Sequence, residues 1–122
     1  MKIAVTAKGE TLGSEIDQRF GRAAYFIIYV TETMDLASIK NENLAAAGGA
    51  GISSAKTVID AGAEAVLTGN CGPNAERTLN AAGVKLYTGL TGTVAQAIEL
   101  FKSGTLNEAA GPNVQSHFGV DK

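Results

Sequence analysis

Cys71, the one cysteine of the chain, lies in Thr68-Gly-Asn-Cys-Gly-Pro-Asn-Ala75, directly after the short apolar run Ala65-Val66-Leu67. A run of that kind predicts a strand buried on both faces. Gly69 and Gly72 allow a ligand to come close to the main chain. Pro73 suits the first position of a helix, where the N–H has no intrahelical partner. Strand, glycine turn and helix N-terminus in succession favour an anion, because amide N–H groups and the helix dipole point into the turn. A thiol placed there is expected to have a lowered pKa and to favour the thiolate. Packed inward, the same cysteine is an inert small hydrophobe.

Three further groups could take part in chemistry. Cys71 and Arg77 are separated by five residues, a spacing that resembles the loop of cysteine-dependent phosphatases and would also serve a sulfurtransferase. Pro73 has no N–H to give such a loop, and Glu76 sets a negative charge beside any phosphate. A helix starting at Pro73 also turns Arg77 away from the cradle. In Asp17-Gln-Arg19-Phe-Gly-Arg22 two cations flank an aromatic residue and a glycine. Their planar forks of donors suit oxyanions or sulfide-bearing anions; the plainer alternative is an Asp17–arginine pair tying a loop to the body. His117, the single imidazole, is either a solvated residue of a polar segment or a ligand for a soft metal.

Gly48-Gly49-Ala50-Gly51 lacks the Gly-Lys-Ser/Thr ending of a phosphate-binding P-loop and the third glycine of a dinucleotide fingerprint. It is a flexible lead into a helix or a ligand-facing loop.

The elements that must position these residues follow from the hydrophobic pattern. Strands are predicted over 2–7, 25–31 and 36–42, the last two pairing as a hairpin. Ile52, Ala55, Val58 and Ile59 mark a helix over 52–61, capped by Gly62. A strand over 64–68 leads to a helix from Pro73 to about 82, with Ala75, Leu79 and Ala82 on one side. A strand over 84–88 leads to a helix capped by Thr93 and running through Phe101. Strand–helix–strand–helix from 64 to 102 is a parallel unit. The fold class is therefore α/β, a single domain with a mixed sheet of about five strands and helices on its faces. Ligands of such sheets bind beyond the carboxyl ends of the parallel strands. The loops expected there are 8–14, 69–73 and 89–92, with 48–51 closing on the same edge. Residues 1–103 form the domain, and a polar tail follows over 104–122.

Composition narrows the partners. The net charge is −2, which gives no electrostatic footprint for nucleic acid. One cysteine excludes an intrachain disulfide and a metal site built from several of the chain's own thiolates. No signal peptide and no membrane-spanning run is visible, so a soluble, cytoplasmic protein is expected.

Four motifs occur in order: Arg19-Phe20-Gly21-Arg22-Ala23 before Tyr25-Phe26, Gly49-Ala50-Gly51-Ile52, Gly69-x-x-Gly72-Pro73-Asn74-Ala75, and Tyr87-x-Gly89-x-x-Gly92-Thr93-Val94. Over about residues 1–103 the chain resembles the dinitrogenase iron–molybdenum cofactor biosynthesis family. These are small carriers related to the nitrogenase accessory protein X and to the C-terminal part of protein B. The resemblance implies a ribonuclease-H-like fold and non-catalytic binding of an iron–sulfur or molybdenum-containing cluster precursor, in or outside nitrogen fixation. It implies donor and acceptor proteins as partners and a monomer or weak homodimer. Carried onto this chain, the cargo-binding positions are Arg19, Arg22, Gly49, Gly51, Gly69, Asn70, Cys71, Gly72, Asn74, Gly89, Gly92 and Thr93. By residue type, Cys71 and His117 are the candidate metal ligands. The multi-cysteine motif of the radical enzyme to which the domain is sometimes fused is absent. The rival expectations are a Cys71 enzyme and an interaction module without a ligand.

Overall fold

The computed structural model describes residues 1–41 and 50–108. Its elements are β1 (Lys2–Ala7), β2 (Tyr25–Val30), β3 (Leu36–Lys40), α1 (Ala50–Asp60), β4 (Ala65–Leu67), α2 (Pro73–Ala81), β5 (Lys85–Tyr87) and α3 (Val94–Ser103). They build a five-stranded sheet in the order β3-β2-β1-β4-β5. β2 runs antiparallel to β1 and to β3, whereas β4 is parallel to β1 and to β5. The predicted mixed α/β sheet and its hairpin are present.

Alternation along the strands divides the core in two. Ala4, Phe26, Ile28, Val66 and Leu86 face α1 and α2, and meet Ala55, Val58, Ala75 and Leu79. Ile3, Val5, Ile27, Ala65 and Leu67 face the other way and meet Val94, Ala97 and Ile98 of α3. β1, β4 and the centre of β2 are thus apolar on both faces, which is why they read as continuous runs. Tyr87 and Phe101 close one end of the α3 layer edge to face, with ring centroids 5.5 Å apart. Leu106, three residues past the predicted end of the domain at 103, packs on the same layer.

Some boundaries differ from the prediction. α1 begins at Ala50 rather than Ile52, and β3 ends at Lys40 rather than 42. Ala82, predicted inward, is the exposed C-cap of α2, because the chain leaves the helix there before Gly83 at φ +78°. Gly62 does end α1, at φ +86°. α3 has a full capping box: Thr93 accepts from the Gln96 amide, and the Gln96 side chain accepts from the Thr93 amide.

Candidate functional site

The loops after β1, β4 and β5 are laced together by backbone hydrogen bonds at the carboxyl ends of those strands. The Asn70 amide donates to the Gln18 carbonyl at 2.7 Å, and the Phe20 amide donates to the Asn70 carbonyl at 3.0 Å. The Gly89 amide donates to the Gly69 carbonyl at 2.8 Å. Beneath them the Thr6 hydroxyl donates to the Asp17 carbonyl and contacts the Thr68 hydroxyl at 2.8 Å, both threonines being buried. The segment that meets the β4 loop is therefore 17–21, not 8–14 as expected. Residues 12–14 turn to α3 instead, where the Ser14 and Leu12 carbonyls accept from the Val94 and Ala95 amides.

Asp17 fixes the arginine loop. The residue is only 4% exposed, and its carboxylate accepts from the amides of Arg19 (3.1 Å) and Ala24 (3.3 Å). The Arg19 Nε lies 3.6 Å from the same carboxylate, so the plainer ion-pair reading of this segment is realised. The Arg19 side chain is nevertheless 68% exposed, and Arg22 is exposed too. Phe20 anchors the loop between them, buried against Phe26 with ring centroids 5.8 Å apart.

Two helix N-termini reach this loop. A methyl group on Gly21 would come within 3.1 Å of the Gly51 Cα and N in the first turn of α1. One on Gly51 would lie 3.3 Å from the Ala75 Cβ in the first turn of α2. The three backbones approach this closely because two of the positions have no side chain. No side chain caps α2 at Gly72, and the amides of Asn74 and Ala75 have no partner among the described residues. Arg19, Arg22, Gly51, Gly69, Asn70, Gly72 and Asn74 are thus brought to one edge, where two helix dipoles and two guanidinium groups share a sign.

Other predicted positions fare differently. The α3 N-terminus is closed: its first amides serve Ser14, Leu12 and the Thr93 side chain, and the Gly92 carbonyl accepts from Ile16. Gly89, Gly92 and Thr93 shape the edge without offering those amides to a ligand; the two glycines sit at φ +80° and +91°. Gly69 is required by close approach, since a Cβ there would fall 2.9 Å from the Gln18 Cα. Gly49 and His117 lie outside the described residues.

Cys71 requires a correction. Its side chain is 1% exposed and belongs to the α1–α2 core, with Sγ 3.7 Å from the Gly72 carbonyl oxygen. Burial pushes the thiol up to about 12, and the Glu76 carboxylate adds to the shift. The expected thiolate is not formed, because desolvation outweighs the helix N-terminus. Arg77 is exposed and donates to the Asn74 side chain. No cluster of three or more histidine, cysteine or acidic side chains that could hold a metal occurs among the described residues.

Sequence reasoning missed Gln18, whose side chain donates to the Leu90 carbonyl at 3.0 Å and bridges the first and last loops. Nothing in its neighbours signals that role. It also missed Gln96, although Thr93-x-x-Gln96 is a readable capping signature. A groove of about 750 Å³ runs along α3 past Gly92, Gln96, Glu99 and Leu100. It stands apart from the arginine loop, and Glu99 gives it the wrong charge for an anion.

The family described as dinitrogenase iron-molybdenum cofactor matches residues 1–104, nearly the whole described chain. This protein belongs to that family. Among solved structures, the apo form of the orange protein from Desulfovibrio gigas is 42% identical, with a TM-score of 0.90, covering 92% of this chain and 95% of that one. A NifB-like protein from Thermotoga is 40% identical with a TM-score of 0.78, covering 88% and 91%. An uncharacterized protein of Methanocaldococcus jannaschii is 32% identical over 114 residues, 88% of this chain and 91% of its own length. The family is one of iron–molybdenum cofactor biosynthesis, related to nitrogen fixation. No described helix is long and apolar enough to cross a membrane.

Proposed function

We propose that this protein is a small, non-catalytic carrier that holds a preassembled, anionic cluster precursor, of iron–sulfur or molybdenum-containing type, during metallocofactor assembly. The observation that carries this reading is the meeting of the Arg19–Arg22 loop with the N-termini of α1 and α2 through Gly21, Gly51 and Ala75. An inorganic cluster needs about four ligands when proteins hold it directly. The described side chains supply no such set. They fit instead a cargo whose metals are already filled by its own sulfides, held by amide N–H groups and guanidinium forks. Few covalent ligands also suit a cargo that must be handed on. The resulting partners are a cluster donor and a cluster acceptor in the cytoplasm.

The burial of Cys71 and the outward position of Arg77 weigh against a thiol phosphatase or sulfurtransferase, because the nucleophile is protonated and enclosed. Anaerobic titration with tetrathiomolybdate and, separately, with iron and sulfide tests the carrier reading. The expected result is saturable uptake at one cargo per chain, weakened by salt. Phosphate-ester or thiosulfate turnover that is lost in Cys71→Ala would overturn it. So would failure to take up either cargo.

A further inference from the structure

We propose that the outer edge of β3 is a docking edge for a second copy of this chain, which adds its own β3 antiparallel across a two-fold axis through Ser38. The ladder to β2 is made by the odd-numbered residues: the Val30 amide donates to the Asp35 carbonyl, and the Asn41 amide donates to the Ala24 carbonyl, both at 3.0 Å. With Ala37 opposite Ile28 and Ile39 opposite Phe26, the residues between must direct their amides and carbonyls away from the sheet. These are Leu36, Ser38 and Lys40, and among the described residues no hydrogen bond reaches their six backbone groups. β3 is exposed along nearly its whole length, Leu36 being 42% exposed. Sheet edges are normally blunted by a proline, a bulge, a cover or a run of charges. Leu36–Lys40 holds no proline and a single charge, Lys40, and no described residue hydrogen-bonds along its outer edge.

The second copy fits this edge better than an arbitrary strand, because the edge complements itself. Antiparallel pairing about Ser38 sets Leu36 opposite the second copy's Lys40, and Ser38 opposite Ser38. All six outward groups then bond at once. Leu36, Ser38 and Lys40 share one face of the strand. The Ser38 hydroxyl donates to the Glu10 carboxylate at 3.3 Å, so Glu10 lies over the axis. The second copy's Lys40 would lay its apolar stem on Leu36 and bring its ammonium to Glu10, and the symmetry repeats the pair. Parallel in-register pairing would stack Lys40 on Lys40 instead. The opposite sheet edge, β5, has three residues and offers less backbone.

β3 runs toward the arginine loop, as the Asn41 side chain donating to the Ala23 carbonyl shows. An antiparallel copy therefore points its own loop to the other end of the joint sheet. Neither loop is covered, and the pairing does not depend on any cargo.

Light scattering across an about hundredfold range of chain concentration should show mass rising from one chain to two, without cargo. Ser38→Pro removes only an outward amide, so the β2–β3 ladder survives while pairing is lost and the apparent mass halves. Lys40→Glu should do the same by facing Glu10, and Lys40→Glu with Glu10→Lys should restore the dimer. Amide exchange at Leu36, Ser38 and Lys40 in the unaltered chain should slow as concentration rises, which keeps the proposal open to test even if a variant unfolds. A one-chain mass at the highest concentration with rapid exchange at those amides would overturn it. So would a dimer indifferent to both substitutions.

Discussion

Gly21 and Gly51 touch backbone to backbone: a methyl group on Gly21 would stand 3.1 Å from both the Cα and the N of Gly51. That contact joins the arginine loop to the first turn of α1, and Ala75 extends it to α2. Gly21→Ala should therefore push the loop off the helix N-termini. The expected cost in stability is about 1–3 kcal/mol, as for other overpacked sites. Cargo affinity should fall as well, while far-ultraviolet circular dichroism stays native. A variant with unchanged urea midpoint and unchanged uptake would show that the contact has no part in the site.

Arg19→Ala and Arg22→Ala should each weaken cargo binding by about tenfold or more, since hydrogen bonds to charged groups are worth about 1.5–3 kcal/mol. The slope of affinity against salt should also become shallower in each variant. Lys102→Ala is the internal control, because Lys102 pairs with Glu99 on α3, away from the arginine loop. Titration of all three variants with the same cargo at several salt concentrations measures the difference.

Cys71 predicts a pH dependence with a definite sign. The thiol has an ordinary value of 9.0 and is raised to about 12 in the folded chain. Below pH 9 both folded and unfolded chains keep the proton, and the contribution is whole. Above that value the unfolded chain releases its proton while the folded chain does not. Stability should then fall as pH rises from about 9 toward 12. Denaturant melts across that range should show the decline, and Cys71→Ala should flatten this component of it. The same variant should keep most of its cargo affinity, because the thiol is in the core.

Thr93→Ala separates scaffold from site. It removes one half of the capping box on α3 and should cost about 0.5–2 kcal/mol. Uptake at saturating cargo should be unchanged, since the α3 amides are already engaged by Ser14 and Leu12. Thermal melts and titration on the same preparation check both halves of that statement.

Local pattern made most of the fold legible. Tyr25 to Val30 and Ala65 to Leu67 are strands because β-branched and apolar side chains fill two-sided burial, and Gly62 and Thr93 punctuate helices through their own backbone chemistry. The β4 loop was readable as a glycine turn between a buried strand and a helix started by Pro73 for similar reasons. What the pattern could not supply was contact between distant segments. Gln18 meets Leu90 across 72 positions, and no periodicity encodes that meeting. The loop over 8–14 was expected at the cleft because it follows β1 directly, yet its carbonyls serve α3. Cys71 was misjudged because the turn it occupies favours an anion, whereas its own side chain points into the layer under α1 and α2. Backbone position and side-chain direction are separate facts, and only the first is written locally.

The enclosure of Cys71 has a consequence for handling and for life in air. An exposed thiol beside redox-active metal would be the first group lost to peroxide or to a cross-link with a neighbouring molecule. Here the sulfur is shut inside the hydrophobic layer. Oxidants that destroy a cluster should leave the polypeptide intact, so empty protein prepared in air remains competent to load once oxygen is removed. On the proposed function, the polypeptide outlasts what it holds.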